Sequence, residues 1–128
     1  MPETVAVIDV GSNSIKLLVA SLDKSGKSIK TVCSKTIETR ISEGINHDLP
    51  TLTQRAIARG TATILELYHL SLEHKPNKIA IVATSAVRDA KNSATFLRAV
   101  TEATDLHMRV LSGTEEARYI CLLYTSDA

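Results

Sequence analysis

Aromatic residues are scarce in this sequence, at 3% of 128 residues, with no tryptophan and one phenylalanine. Stacked aromatic platforms for single-stranded nucleic acids or carbohydrates are therefore not expected as the main binding device. The two cysteines, Cys33 and Cys121, are too few for a disulfide framework or a four-cysteine zinc site. Charge of one sign is not in excess either, since 15 Lys and Arg against 14 Asp and Glu leave a net charge of +1. This balance argues against a protein that coats nucleic acid through a general basic field.

Long apolar runs are also missing. The longest uninterrupted ones, such as residues 5–8 and 79–83, fall far short of the roughly 18 residues that a membrane helix needs. The amino terminus is polar and acidic where a signal peptide would be basic. The sequence therefore predicts a cytoplasmic chain of one domain's length, with no membrane partner.

Hydrophobic periodicity predicts the order of the secondary-structure elements. β-branched and alternating stretches are typical of strands, and apolar residues at three- and four-residue spacing are typical of helices. The predicted elements are strands at residues 4–10, 15–22 and 28–38, a helix over 53–74, a strand at 78–84, a helix over 92–103, a strand at 107–111 and a third helix opening at 112–115. Two helical crossovers to strands imply parallel pairing beside an antiparallel hairpin. The fold class is therefore α/β, a mixed five-stranded sheet with helices packed on it.

Three details of this pattern can be checked directly. In the third strand, the spacing predicts that Ile29, Val32 and Ile37 point inward. Gly60 lies inside the long helix, where glycine costs about 1 kcal/mol relative to alanine, so we expect it to mark a close packing contact. Asn92 is the expected N-terminal cap of the second helix.

A turn of small polar residues follows the first strand. It consists of Gly11, Ser12, Asn13 and Ser14, and Asp9 stands at the end of the strand. The backbone N–H groups and hydroxyls of such a turn can point at a phosphate, and Gly11 allows a close approach. Asp9 could hold a metal ion or its water. An ordinary hairpin turn beside a strand-end aspartate explains the same residues equally well.

Arg88 follows the end of the fourth predicted strand in the same way. Ligand crevices of open α/β sheets form at the carboxyl ends of strands, where an arginine can make a fork-shaped contact with phosphate oxygens. The plainer alternative is a solvated arginine paired with a nearby acid such as Asp89 or Glu43.

A third polar segment, residues 111–118, comes after the last predicted strand. Ser112 and Glu115 have the spacing of a capping box, which gives Glu115 a complete structural explanation. Glu116 has no such role, and it could accept a proton from water. Its alternative explanation is the favourable field that a first helical turn offers to a carboxylate.

Together these segments resemble the amino-terminal domain of the exopolyphosphatase and guanosine-pentaphosphate phosphohydrolase family (Ppx/GppA). Residues 6–14, 82–92 and 111–119 match three family motifs, in order and at family spacing. Residues 40–44 resemble a family segment that reads Arg-Leu-Gly-Glu-Gly, from which Ile41 and Ser42 depart. The first motif alone is shared with actins, sugar kinases and Hsp70-type chaperones, so the specificity lies in the three together.

The resemblance implies an actin-like, ribonuclease-H-like domain that acts on terminal phosphoanhydride bonds of inorganic polyphosphate or guanosine pentaphosphate with Mg²⁺. Carried over by position, Glu116 is the base that activates the attacking water, the turn at residues 11–14 and Arg88 hold phosphate, and Asp9 assists the magnesium site. Phosphoryl transfer needs such positioning and charge neutralisation more than covalent chemistry. The resemblance further implies a full-length parent that is a homodimer without a nucleic-acid partner.

The sequence departs from the family after Ile120. Complete members continue into a second lobe with another glycine-rich phosphate loop, of the type Asp-Ile-Gly-Gly-Gly-Ser-Thr-Glu, and no such segment is present here. Residues 1–120 are therefore predicted to be an amino-terminal lobe that carries one wall of the active site. Residues 121–128 resemble the translation of a transposase adapter used for sequencing libraries, so we expect this tail to be non-native and the fragment to have little turnover.

Two other functions remain open at this stage. An actin-like sugar or acetate kinase lobe shares the first motif, but it does not predict the segment at residues 112–118. A regulatory module could instead bind polyphosphate or a guanosine tetraphosphate alarmone without hydrolysing it. The sequence does not choose between polyphosphate and guanosine pentaphosphate as the substrate.

Overall fold

The computed structural model describes residues 3–22, 29–42 and 51–111. The elements within these ranges are β1 (Glu3–Val10), β2 (Ser14–Leu22), β3 (Ile29–Glu38), α1 (Gln54–Leu72), β4 (Lys78–Ala83), α2 (Ser85–Asp89), α3 (Ser93–Thr104) and β5 (Met108–Val110). The five predicted strands and the two long helices are confirmed, with bounds shifted by one or two residues. The helix predicted to open at residues 112–115 lies outside the described residues.

The strands form one mixed five-stranded sheet in the order β3-β2-β1-β4-β5. β2 pairs antiparallel with both β1 and β3, whereas β4 pairs parallel with both β1 and β5. The carboxyl ends of β1, β4 and β5 therefore lie along the same edge of the sheet. This is the edge at which the three polar segments of the sequence begin.

The core lies between one face of the sheet and the helices α1 and α3. Ile8 of β1, Leu17 of β2, Ile64 of α1 and Phe96 of α3 are completely buried there. Burial of each such side chain contributes roughly 1.5–3 kcal/mol relative to exposure. A smaller cluster on the opposite face joins Val7, Val82 and Leu111.

Gly60 marks a close packing contact, as the sequence predicts, and the structure shows that the contact is with Phe96 of α3 and with Ile41. A Cβ atom at this position would lie 3.0 Å from Cζ of Phe96 and 3.2 Å from Cγ2 of Ile41. The helix begins at Thr53, whose Oγ1 accepts a hydrogen bond from the Ala56 N–H at 3.0 Å. No helix in the described part of the chain is both long and apolar enough to cross a membrane.

The inward orientation predicted for Val32 is wrong. β3 bulges there: Cys33 is opposite Val19 and Thr31 is opposite Ala20, so Val32 has no counterpart on β2. The extra residue turns Val32 outward, where it is 47% exposed, and Cys33 packs against the core instead. Ile37 packs inward as predicted, and the side chain of Ile29 lies outside the described residues.

Asn92 precedes α3 as predicted, but its side chain makes no capping hydrogen bond. Its side-chain amide instead makes two hydrogen bonds to the main chain of Leu52. Oδ1 accepts from the Leu52 N–H, and Nδ2 donates to the Leu52 carbonyl, both at 2.9 Å. The short helix α2 was not predicted, because five residues are too few to show a helical period. A single turn closes there through the Arg88 N–H and the Thr84 carbonyl at 2.9 Å.

Candidate functional site

Main-chain hydrogen bonds tie the ends of the three parallel strands together. The Thr84 N–H donates to the Val10 carbonyl at 3.2 Å, and the Leu111 N–H donates to the Ala83 carbonyl at 2.9 Å. The segments that leave β1, β4 and β5 therefore start side by side. The structure in this way brings the first two predicted phosphate-binding segments next to the start of the third.

The turn at residues 11–14 is closed by a hydrogen bond from the Gly11 N–H to the Ser14 carbonyl at 2.9 Å. A Cβ atom at position 11 would lie 3.1 Å from that same carbonyl oxygen, so a larger residue would push the turn open. The turn does connect two antiparallel strands, as the simple hairpin interpretation requires. Its tightness also keeps the polar groups of Ser12 and Asn13 at the sheet edge.

The segment after β3 fixes the orientation of this turn. The N–H groups of Thr39 and Arg40 donate to the Asn13 carbonyl at 2.9 and 2.8 Å, and Ser42 donates to the Ser12 carbonyl through its N–H and its hydroxyl. All described peptide bonds are trans, and the C=O and N–H of a trans peptide point in opposite directions. The N–H groups of Asn13 and Ser14 are thus directed away from residues 39–42, towards the side on which β1, β4 and β5 end.

Arg88 lies at that side of the turn. Its Nη1 donates to the Leu111 carbonyl at 3.0 Å, and its Nε is 3.5 Å from a carboxylate oxygen of Asp89. The predicted alternative, a pair with Asp89, is therefore present, while Glu43 lies outside the described residues. The side chain is 33% exposed, so a guanidinium is held at the sheet edge within reach of solvent.

Asp9 lies on the face of the sheet opposite α1 and α3. Its neighbours in β1, Ile8 and Val10, point into the core on the helix side, and successive side chains of a strand alternate between faces. Its neighbours across the sheet are Lys16 on β2 and Val82 on β4. Among the described residues, no group of three or more His, Cys, Asp or Glu could hold a metal ion. Mg²⁺ commonly takes one or two carboxylates and completes its shell with water and substrate phosphates. The single carboxylate of Asp9 fits that kind of site.

The predicted base, Glu116, lies outside the described residues, as does the rest of the segment after Leu111. Its role stays a prediction. The same holds for the proposed foreign origin of residues 121–128.

A charged cluster that was not predicted from the sequence lies where β3 ends, next to the turn. Arg40 and Glu38 form an ion pair, and both line an open depression of about 550 Å³ together with Asn13, Ser14 and Ser42. Arg59 of α1 reaches the same segment and donates to the carbonyls of Thr39 and Arg40. The family-like segment at residues 40–44 was the available signal, but it carried no information on what Arg40 contacts.

The chain is similar to known proteins of one phosphatase family. The model of the Ppx/GppA phosphatase family matches residues 18–126. The matched range includes most of the tail whose foreign origin is predicted above.

Solved structures agree with that match. A Ppx/GppA family member from Aquifex aeolicus is 28% identical with a TM-score of 0.88, over 98% of this chain and 40% of the relative. An exopolyphosphatase-like protein is 30% identical with a TM-score of 0.82, over 91% of this chain and 34% of the relative. An exopolyphosphatase from Cytophaga hutchinsonii has a TM-score of 0.83 at 22% identity, over 91% of this chain and 36% of the relative, which supports the fold alone. The chain thus spans about two fifths or less of the length of these proteins.

Proposed function

The chain belongs to the Ppx/GppA phosphatase family, and from this premise we propose that its full-length parent hydrolyses terminal phosphoanhydride bonds of inorganic polyphosphate or guanosine pentaphosphate. The fold is the actin-like α/β domain of that family. The observation that carries the proposal is the convergence of three strand ends, where the turn at residues 11–14 and the guanidinium of Arg88 flank the start of the segment that bears Glu116.

Each group in this arrangement has a task that suits phosphoryl transfer. The N–H groups of Asn13 and Ser14 and the guanidinium of Arg88 bind phosphate oxygens and neutralise their charge. Glu116 takes a proton from the attacking water. Asp9 would hold Mg²⁺, which would supply further neutralisation of the phosphate charge. These tasks are positioning and electrostatic stabilisation, which account for most of the catalysis of phosphoryl transfer.

The fragment itself carries one wall of such a site. Because it spans 40% or less of the three solved relatives described above, the remaining phosphate ligands are expected on the part of the parent that follows. We expect the parent to be a cytoplasmic homodimer. A native stop codon directly after Ala128, in an independent long read of the locus, would contradict the predicted non-native origin of residues 121–128.

A phosphate-release assay on the full-length parent tests the proposed activity. With Mg²⁺, the parent should release orthophosphate from polyphosphate or from guanosine pentaphosphate, and Glu116→Gln should lower kcat by at least about a hundredfold, the lower end for loss of a general base. Glu115→Gln is the matched control, because the adjacent carboxylate has the spacing of a helix cap and should cost stability instead of rate. Equal effects of the two substitutions on kcat would refute the role of Glu116.

The 128-residue chain is a further arm of the assay, and it should release little or no phosphate. Release at the parent's rate would contradict the division of the site between two lobes. Equilibrium dialysis of the isolated chain separates the broken enzyme, which should bind only at millimolar ligand, from a regulatory module, which would bind tightly.

A further inference from the structure

The depression beside the turn at residues 11–14 shares Asn13 and Ser14 with the strand-end site described above and extends from them to Glu38 and Arg40. It has about 550 Å³ of space, and its walls are Asn13, Ser14, Glu38, Arg40 and Ser42. The turn joins β1 and β2, and the strand order puts β4, which Arg88 follows, beside β1, and β3, which Arg40 follows, beside β2. A cation on each side of one turn is the arrangement that an elongated polyanion, but not a single phosphate, would use.

The backbone of Arg40 is fixed in an uncommon conformation. Its φ of 51° is in the left-handed region, which costs a non-glycine residue roughly 1–3 kcal/mol. Two contacts hold it there: its N–H donates to the Asn13 carbonyl at 2.8 Å, and its carbonyl accepts from Nη2 of Arg59 at 2.9 Å. The turn and α1 together thus position the Arg40 side chain at the rim of the depression.

Within the described ranges, the guanidinium of Arg40 forms a weak ion pair. Its Nε contacts a carboxylate oxygen of Glu38, and both side chains are largely exposed, at 64% and 60%. Exposed ion pairs of this kind are worth about 0–1 kcal/mol, because water and salt screen them. A phosphate group can accept two parallel hydrogen bonds from a guanidinium through two of its oxygens, and a terminal phosphate carries more negative charge than a carboxylate, so it can displace Glu38 from Arg40.

We propose that Arg40 is a second phosphate-binding residue. Its guanidinium exchanges the Glu38 carboxylate for one phosphate group of a polyphosphate ligand whose neighbouring phosphate already occupies the Arg88 side of the turn. The inference rests on the proposed function, since it assigns that site a ligand with at least two linked phosphates. Glu38 acts as the internal competitor that keeps Arg40 in place when no such ligand is bound.

Calorimetric titration of the 128-residue chain with inorganic tripolyphosphate and with orthophosphate tests this assignment. Arg40→Gln should weaken tripolyphosphate binding about tenfold, as expected for the loss of one charge-assisted contact, and change orthophosphate binding less than twofold. Glu38→Gln should strengthen tripolyphosphate binding about two- to threefold, because it removes the competing carboxylate. Arg98→Gln, which removes an exposed arginine from α3, is the charge-matched control and should change neither affinity by more than twofold.

The outcomes separate this inference from the proposed function. If Arg40→Gln binds tripolyphosphate as tightly as the unaltered chain, or loses orthophosphate binding to the same extent, the assignment of Arg40 is wrong. If Arg88→Gln leaves both ligands unaffected while Arg40→Gln weakens tripolyphosphate binding, no single phosphate chain spans both sides of the turn, and the strand-end site and the two-site proposal both fail. Absence of binding of both ligands to the unaltered chain would overturn the assignment of Arg40, whereas the proposed activity is tested separately by phosphate release from the full-length parent. Glu38→Gln is expected to raise the affinity for tripolyphosphate, and partial unfolding of the variant could not produce such an increase.

Discussion

The guanidinium of Arg88 donates a hydrogen bond from Nη1 to the main-chain carbonyl of Leu111 at 3.0 Å. This bond joins the end of α2 to the residue that follows β5, so it crosses between two of the segments that converge at the sheet edge. Arg88 therefore has a structural role as well as its proposed phosphate contact. The two roles predict different responses to substitution.

Arg88→Gln should lower the free energy of unfolding by about 1 kcal/mol, because the hydrogen bond from the guanidinium to the Leu111 carbonyl is lost. Arg88→Lys keeps the charge but not the planar fork, so it should retain some phosphate affinity and still lose stability. Urea unfolding and tripolyphosphate titration of both variants measure the two effects. Identical losses of affinity in the two variants would argue that Arg88 acts through structure alone.

Asn92 should contribute more to stability than its exposed counterpart Asn77. The Asn92 amide makes two hydrogen bonds to Leu52 in a partly buried setting, whereas the Asn77 amide accepts one from the Thr4 N–H at the surface. Asn92→Ala should cost about 2 kcal/mol, and Asn77→Ala should cost less than about 1 kcal/mol. Chemical unfolding of the two variants measures both losses in the free energy of unfolding. Equal losses would contradict the stabilising role of the two Asn92–Leu52 hydrogen bonds.

Gly60 and Phe96 should be energetically coupled. A methyl group at position 60 would press on the Phe96 ring, so Gly60→Ala is expected to destabilise the chain by about 1 kcal/mol despite the better helix propensity of alanine. Phe96→Leu removes the ring atoms that the methyl group meets, Cζ and Cε1, and leaves the contact with Cγ2 of Ile41. A double-mutant cycle should therefore give a coupling energy of about 1 kcal/mol, with the double variant more stable than the sum of the single costs implies.

One outcome of the double-mutant cycle would contradict this prediction. If the costs of Gly60→Ala and Phe96→Leu add, the close approach at Gly60 does not limit the packing of α1 against α3.

Arg59 is expected to act on phosphate binding through Arg40. Its two hydrogen bonds to the carbonyls of Thr39 and Arg40 hold the segment that positions the Arg40 side chain. Arg59→Gln should weaken tripolyphosphate binding about threefold, since the side chain of Arg40 then samples more orientations. In the Arg40→Gln background the same change should have no further effect. An additive loss in the double variant would show that Arg59 contacts the ligand itself.

The order and type of the large elements could be predicted from the sequence because each has a clear periodicity. Gly60 was also predictable, since a glycine in the middle of an amphipathic helix needs a packing reason. Val32 was not, because a β-bulge shifts the alternation by one residue and leaves no signature in the pattern around it. Asn92 has the residue type of a helix cap, and only the tertiary approach of Leu52 redirects its amide.

The residues of the candidate site likewise fall into those that the sequence could predict and those that it could not. The turn at residues 11–14 and Arg88 could be found because both follow strands whose carboxyl ends share one edge. Arg40 could not be assigned a role, because its position depends on long-range contacts with Asn13 and Arg59. Local sequence records that these residues are polar, but not that they meet.

The amide spectrum of ¹⁵N-labelled chain during titration with tripolyphosphate tests the central claim most directly. If the strand ends form a phosphate site, the largest shifts should fall on the N–H groups of Asn13 and Ser14 and on the side-chain Nε–H of Arg88. Surface amides of α3, such as that of Arg98, should stay in place. Saturable shifts confined to α3, or no shifts near residues 11–14 at saturating ligand, would contradict the account.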